Sequence, residues 1–150
     1  MMREPVGIKS EQGTLFGWVH KPSSTVAHKD CAVVICAPFG HEYTHSHRSL
    51  RHWADEFARQ GFVTLRFDYH GVGNSPGDDQ DPKRLEAWSA SIDSAIKFMQ
   101  DQFACKEICL AGVRLGATLA ALTAAQSKVD HLILWNPVVQ GRRYVRELEA

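Results

Sequence analysis

The stretch from Glu107 to Leu122, EICLAGVRLGATLAAL, constrains the fold more than any other part of the chain. An apolar run, a tight glycine-flanked turn and a helix of small residues follow one another without a spacer. Gly112 and Gly116 bracket Arg114, a frame needed where added side chains would collide with neighbouring backbone. Ile108 to Ala111 reads as a strand. Leu115 to about Ala125 reads as a helix that is apolar or small almost all round, through Ala117, Leu119, Ala120, Ala121, Leu122 and Ala124. Such a helix is expected to lie sandwiched between a sheet and other structure.

The remainder of the chain repeats the alternation. Cys31 to Ala37, Phe62 to Phe67 and His131 to Trp135 are continuous apolar runs of the kind found in strands buried on both faces of a parallel sheet. Between them, Leu50, Trp53, Ala54, Phe57 and Ala58 form one helical stripe and predict a helix over Ser46 to Gln60, closed by Gly61. Leu85, Trp88, Ile92, Ala95, Ile96, Met99 and Phe103 mark a second helix, with Asp81-Pro82 as its start. Arg142 to Glu149 reads as a tail helix. Ahead of all this, Pro5 to Lys9 and Thr14 to His20 flank Glu11-Gln12-Gly13 as an antiparallel hairpin, and Lys21 to Asp30 reads as a loop. Alternating strands and helices require right-handed crossovers. The expected fold is therefore α/β: a three-layer α/β/α sandwich, about six strands, mostly parallel, in one domain spanning 1–150. Ligands in such sheets bind beyond the carboxyl ends of the strands. That edge gathers Phe39, Gly40, His41, the loop from Asp68 to Ser75, Arg114, Leu115 and Asn136.

Composition narrows the partners. Lys plus Arg and Asp plus Glu each number 17, so no global field recruits nucleic acid or an anionic membrane. Cys31, Cys36, Cys105 and Cys109 show neither CxxC spacing nor a disulfide framework and are expected to be free thiols. The N-terminus MMREPVGIKSEQG carries no signal-like apolar core, and no window has the roughly 18 apolar residues of a membrane span. A cytoplasmic protein is expected. The run HLILW is apolar without alternation and wants cover and a neighbouring strand. Either the natural chain continues past Ala150, which we favour, or this edge pairs with a second copy or another partner.

Three landmarks occur in order: APFGHE after the third strand, DYHGVGNS after the fourth and GVRLGA after the fifth. With them the chain resembles the α/β-hydrolase superfamily, within it the serine aminopeptidase-like branch, and most of all the hydrolases associated with exosortase A systems. The resemblance implies an α/β-hydrolase fold and hydrolysis of an ester, amide or thioester. It makes Gly112 to Gly116 a nucleophile elbow, with Arg114 at the nucleophile position. It puts Phe39 and Gly40 on the oxyanion loop, gives Leu115 the second oxyanion N–H, and makes GRRYVRELEA the beginning of a lid segment starting near 137. Two departures matter. Arginine stands where the family has serine, and these residues contain neither the acid nor the C-terminal histidine, since the triad runs Ser, Asp or Glu, His in chain order. Asn136, where some relatives place the acid, is neutral. Catalytic impairment is the expectation.

Arg114 admits two readings. Beside free N–H groups at a helix start it suits a carboxylate or phosphate, with His41, Glu42 and His70 as further candidate ligand contacts. Alternatively it pairs internally, with Glu42 or with an acid on the missing half, because a buried unpaired arginine is costly. His41-Glu42-Tyr43-Thr44-His45 matches HExxH, whose zinc chemistry requires His41 and His45 on one helical face. Pro38 and Gly40 just upstream place the segment in a loop or a first helical turn, so no metal is expected and a zinc hydrolase on His41 and His45 is a distant alternative; no cofactor is expected. Ser75 is read as structural. Gly71, Gly73 and Gly77 lack dinucleotide-binding spacing.

Overall fold

The computed structural model describes residues 1–78 and 80–149. The chain opens with a hairpin of β1 (Met2–Ser10) and β2 (Gly13–Lys21), in register from Ser10 opposite Gly13 to Met2 opposite Lys21. β3 (Cys31–Cys36), β4 (Thr64–Phe67), β5 (Glu107–Val113) and β6 (His131–Trp135) follow. The sheet order is β1-β2-β4-β3-β5-β6. β1, β2 and β4 are antiparallel neighbours, whereas β4, β3, β5 and β6 run parallel. Four helices, α1 (His41–Arg59), α2 (Arg84–Gln102), α3 (Leu115–Ala124) and α4 (Gly141–Glu149), complete the described elements. This is the three-layer α/β architecture that the alternation requires.

Burial follows from the layering. α1 packs on β2, β3 and β4, while α2 and α3 touch each other and pack across β1, β3, β4, β5 and β6. Every residue of β3 is therefore buried, consistent with its unbroken apolar run. Ile35, Leu65, Ile92, Met99, Leu110 and Leu119 form the centre of the core.

Four local expectations change. α1 starts at His41 and not at Ser46, because Gly40 turns the chain at φ 62 and ψ −139 and accepts the Thr44 N–H at 3.3 Å, so the helix begins at once. HEYTH is thus helical. α2 starts at Arg84 behind Lys83, a left-handed residue at φ 58, and not at Asp81-Pro82. Its first inward residue is Ala87, which leaves Leu85 57% exposed. α3 buries Gly116, Ala117, Leu119, Ala120 and Thr123 against the sheet and α2, but Leu122 faces outward, so the helix is not enclosed all round. In β6 all five residues are exposed, up to 66% for Trp135.

A buried ionic cluster ties the hairpin to α1. Asp55 accepts from both Arg3 and His20, the latter through Nδ1 at 2.7 Å, and Arg66 Nε donates to His20 Nε2 at 2.8 Å. Asp55 and His20 are almost fully buried. The hydrogen bond from Arg3 holds the Asp55 carboxyl far below the usual range. Burial pushes the His20 imidazole down to about 4, against the pull of Asp55. His20 is therefore neutral, with Nδ1–H donating to Asp55 and Nε2 accepting from Arg66. Cys31, Cys36, Cys105 and Cys109 are free thiols. Burial pushes Cys31 up to about 12 and Cys109 to about 11, which makes both poor nucleophiles.

Candidate functional site

The elbow is built as its glycines demand. A Cβ on Gly116 would lie 2.2 Å from the Cys36 carbonyl oxygen and 2.3 Å from that of Ala37, and one on Gly112 would lie 2.5 Å from Ala117 Cα. The absence of these side chains lets the start of α3 abut the end of β3. Between the glycines, Arg114 takes φ 55 and ψ −123. A non-glycine residue held there stores roughly 1–3 kcal/mol of strain. The strain is held by β5 and β6: the Arg114 N–H donates to the Trp135 carbonyl at 3.0 Å. Leu115, next along, opens α3, and its N–H belongs to the first turn, where intrahelical acceptors run out.

The Arg114 guanidinium meets two carboxylates. Nε donates to Glu42 Oε2 at 2.9 Å, one of the internal partners that the sequence offers. A second donation, from a terminal nitrogen to Glu147 Oε2 at 2.7 Å, reaches a residue of α4 that sequence reasoning passed over. Its one signal was local: Arg143 and Glu147 sit four apart on a short helix and pair at 3.2 Å. Tyr144, the buried residue of α4, lies under the guanidinium with its ring centroid 5.6 Å away. The Glu42 hydrogen bond holds Arg114 above its ordinary value, and burial, then Glu42, raises the Tyr144 phenol. Glu42 Oε1 is buried and has no hydrogen-bond partner.

Two clefts flank this pair. A polar cleft of about 520 Å³ is lined by Glu42, Arg114, Asn136, Arg143 and Glu147 among others. A more apolar one of about 620 Å³ is lined by Phe39, Leu85, Trp88, Leu115 and Leu148. Tyr144 is their common wall. Phe39 is fixed by stacking on Tyr69 at 4.4 Å and Trp88 at 4.1 Å between ring centroids, and the Tyr69 hydroxyl donates to the Ala37 carbonyl at 2.9 Å. The structure thus brings Arg114 and Glu42 together, and Phe39 with Leu115.

Other candidates lie elsewhere. His41 is exposed and lines neither cleft, as does His45, whose ring centroid is 6.1 Å from that of His41. The HExxH residues do occupy one helix, but Glu42 is engaged by Arg114 and is not free to activate water. Among the described residues no group of three His, Cys, Asp or Glu side chains is placed to hold a metal. His70 also lines neither cleft. Its Nε2 meets Asp81 at 3.0 Å, its Nδ1 is buried without a partner, and Gly77 leaves room for the ring. Ser75 Oγ donates to the Asp68 carbonyl at 2.5 Å and accepts the Phe16 N–H at 2.9 Å, which ties the loop after β4 to β2. Asp68 itself receives Tyr43 at 2.9 Å and the Asn74 N–H at 3.0 Å.

Residues 27–150 match the family model for the serine aminopeptidases, S33. The chain belongs to the serine aminopeptidase S33 family. Solved structures agree with this S33 assignment at the level of fold. An α/β serine hydrolase without a lid from Xanthomonas campestris shares 20% identity at a TM-score of 0.76, covering 89% of this chain and 61% of its own. An α/β serine hydrolase homologue from Coxiella burnetii shares 24% at 0.75, covering 89% and 62%. An esterase from Pyrococcus furiosus shares 18% at 0.77, covering 99% and 54%. The fold is the α/β-hydrolase fold, and the S33 chain spans less than two thirds of the length of each of these three proteins. Among curated protein sequences there is no match.

Proposed function

We propose that the elbow of this α/β-hydrolase family chain binds and does not cleave: the protein is catalytically impaired and holds a small anionic or acyl ligand at Arg114. The observation that carries this reading is the arginine itself, at the apex of an intact elbow with its guanidinium directed to carboxylates. Arginine stays protonated and has no lone pair to offer an acyl group. The same features that would serve an ester-cleaving site suit a carboxylate ligand: a fixed positive charge, the first-turn N–H groups of α3 and the backbone at Phe39 and Gly40. The finer placement beside exosortase A-associated hydrolases, and a cytoplasmic location, belong to the same reading and rest on GVRLGA, on GRRYVRELEA and on the N-terminal composition.

Calorimetric titration of hexanoate into the wild-type chain and into Arg114→Ala tests the proposal. Loss of a charge-assisted pair, about 1.5–3 kcal/mol, predicts at least tenfold weaker binding by the variant. Equal affinity in both would refute it.

The exposed strand β6 favours a second reading, in which the chain is an interaction protein. Leu132, Ile133, Leu134 and Trp135 are each 39% exposed or more, beside β5 in register from Cys109 opposite His131. An uncapped apolar edge of this kind is a template for pairing with a further strand.

A further inference from the structure

We propose that α4 is a self-docking strap whose Glu147 carboxylate occupies Arg114 as an internal stand-in, and that the external ligand it stands in for is a carboxylate bearing an apolar tail. This deepens the binding role assigned to the elbow and rests on it. Three observations converge. Glu147 is the half-exposed member of the pair, its side chain 46% accessible against 24% for Glu42, so of the two carboxylates on Arg114 it is the one a solute can replace. α4 is held down by little else: its one buried residue is Tyr144, while Val145 is 50% and Leu148 40% exposed. The third is the arrangement of the clefts. Tyr144 separates the polar cleft around Arg114 from the apolar cleft around Phe39, Trp88 and Leu115, and Leu148 lines the latter. Lifting α4 joins the two into one groove with a cation at one end and aromatic and aliphatic walls at the other.

The chemistry follows from that groove. A free carboxylate takes the guanidinium donor that Glu147 releases, and its tail replaces Tyr144 and Leu148 against Phe39, Leu85, Trp88 and Leu115. Glu42 keeps its own bond to Nε throughout, so the arginine never loses its second partner. Arg143, freed from Glu147, adds positive charge at the rim. An uncharged analogue of the same length gains the apolar contacts but cannot displace Glu147.

The test compares wild type with Glu147→Gln, a surface change that removes the competing charge and leaves the fold alone. Hexanoate is titrated into each by calorimetry, with hexanamide as the uncharged probe. The exchange of amides 141–149 is followed by hydrogen–deuterium mass spectrometry. Removing a partly exposed competitor pair predicts hexanoate binding about fivefold tighter in Glu147→Gln, hexanamide binding weaker than hexanoate in both proteins, and faster exchange over α4 when hexanoate saturates the wild type. Equal hexanoate affinity in the two proteins, with no change in α4 exchange, overturns the strap while leaving ligand binding at the elbow intact. Absence of hexanoate binding in both proteins overturns the elbow reading and the strap together.

Discussion

Gly116→Ala is the sharpest test of why the elbow has its form. The added methyl would lie 2.2 Å from the Cys36 oxygen and 2.3 Å from the Ala37 oxygen, whereas a real Cβ needs more than 3 Å. Both obstacles are backbone of a fully buried strand and its exit, so neither can swing away as a side chain would. Relief requires the first turn of α3 to move off β3 by about an ångström. Overpacking of this kind costs roughly 1–3 kcal/mol and sometimes more, and with backbone on both sides the upper end applies. Against this, alanine is better than glycine inside a helix by about 1 kcal/mol. The net expectation is about 2 kcal/mol of destabilisation. For a chain of 150 residues that lowers Tm by roughly 4–8 °C. Urea titration followed by circular dichroism measures it, with Gly141→Ala as the control. Gly141 has nothing within 4 Å of the added carbon and opens α4, so its replacement is expected to leave stability unchanged or raise it by up to about 1 kcal/mol. A Gly116→Ala protein within about 0.5 kcal/mol of wild type would refute the claim that the glycine frame exists for backbone contact.

The buried ionic cluster and the β6 edge make further predictions. His20 is buried and neutral with its value at about 4, below the usual 6.5, so the unfolded chain binds the proton first as pH falls. Stability is fully present above pH 6.5 and lost toward pH 4 at about 1.4 kcal/mol per unit; His20→Gln should flatten this slope in urea titrations, and an unaltered slope would show that other groups set it. At β6, the interaction reading predicts concentration-dependent self-association in sedimentation equilibrium, abolished by Ile133→Lys, and a monomer at every concentration would remove that reading.

How much of this was legible in the sequence depends on how local the cause is. The strands β3, β5 and β6 announce themselves as unbroken apolar runs, and the glycine frame of the elbow states its own steric reason. The start of α1 was hidden because its first turns carry no apolar stripe: Tyr43 alone among His41 to His47 packs on the core, and the aliphatic stripe begins only at Leu50. The decisive residue there is Gly40, whose positive φ lets strand exit pass straight into helix. The buried cluster of Arg3, His20, Asp55 and Arg66 was equally hidden. Its members come from β1, β2, α1 and β4, and Asp55 interrupts what reads as an apolar face. At the site, Glu42 was visible as a partner for Arg114 because it lies just past the exit of the neighbouring strand. Glu147 was not, since only the return of α4 across the elbow brings it within 2.7 Å.

Ester turnover decides whether this elbow binds without cutting. With 4-nitrophenyl butyrate and the wild-type chain, the account predicts release of nitrophenol at the buffer rate, with no saturation and no burst. Saturable turnover by the wild type would contradict it; turnover that persists in Arg114→Ala would further place the nucleophile outside the elbow.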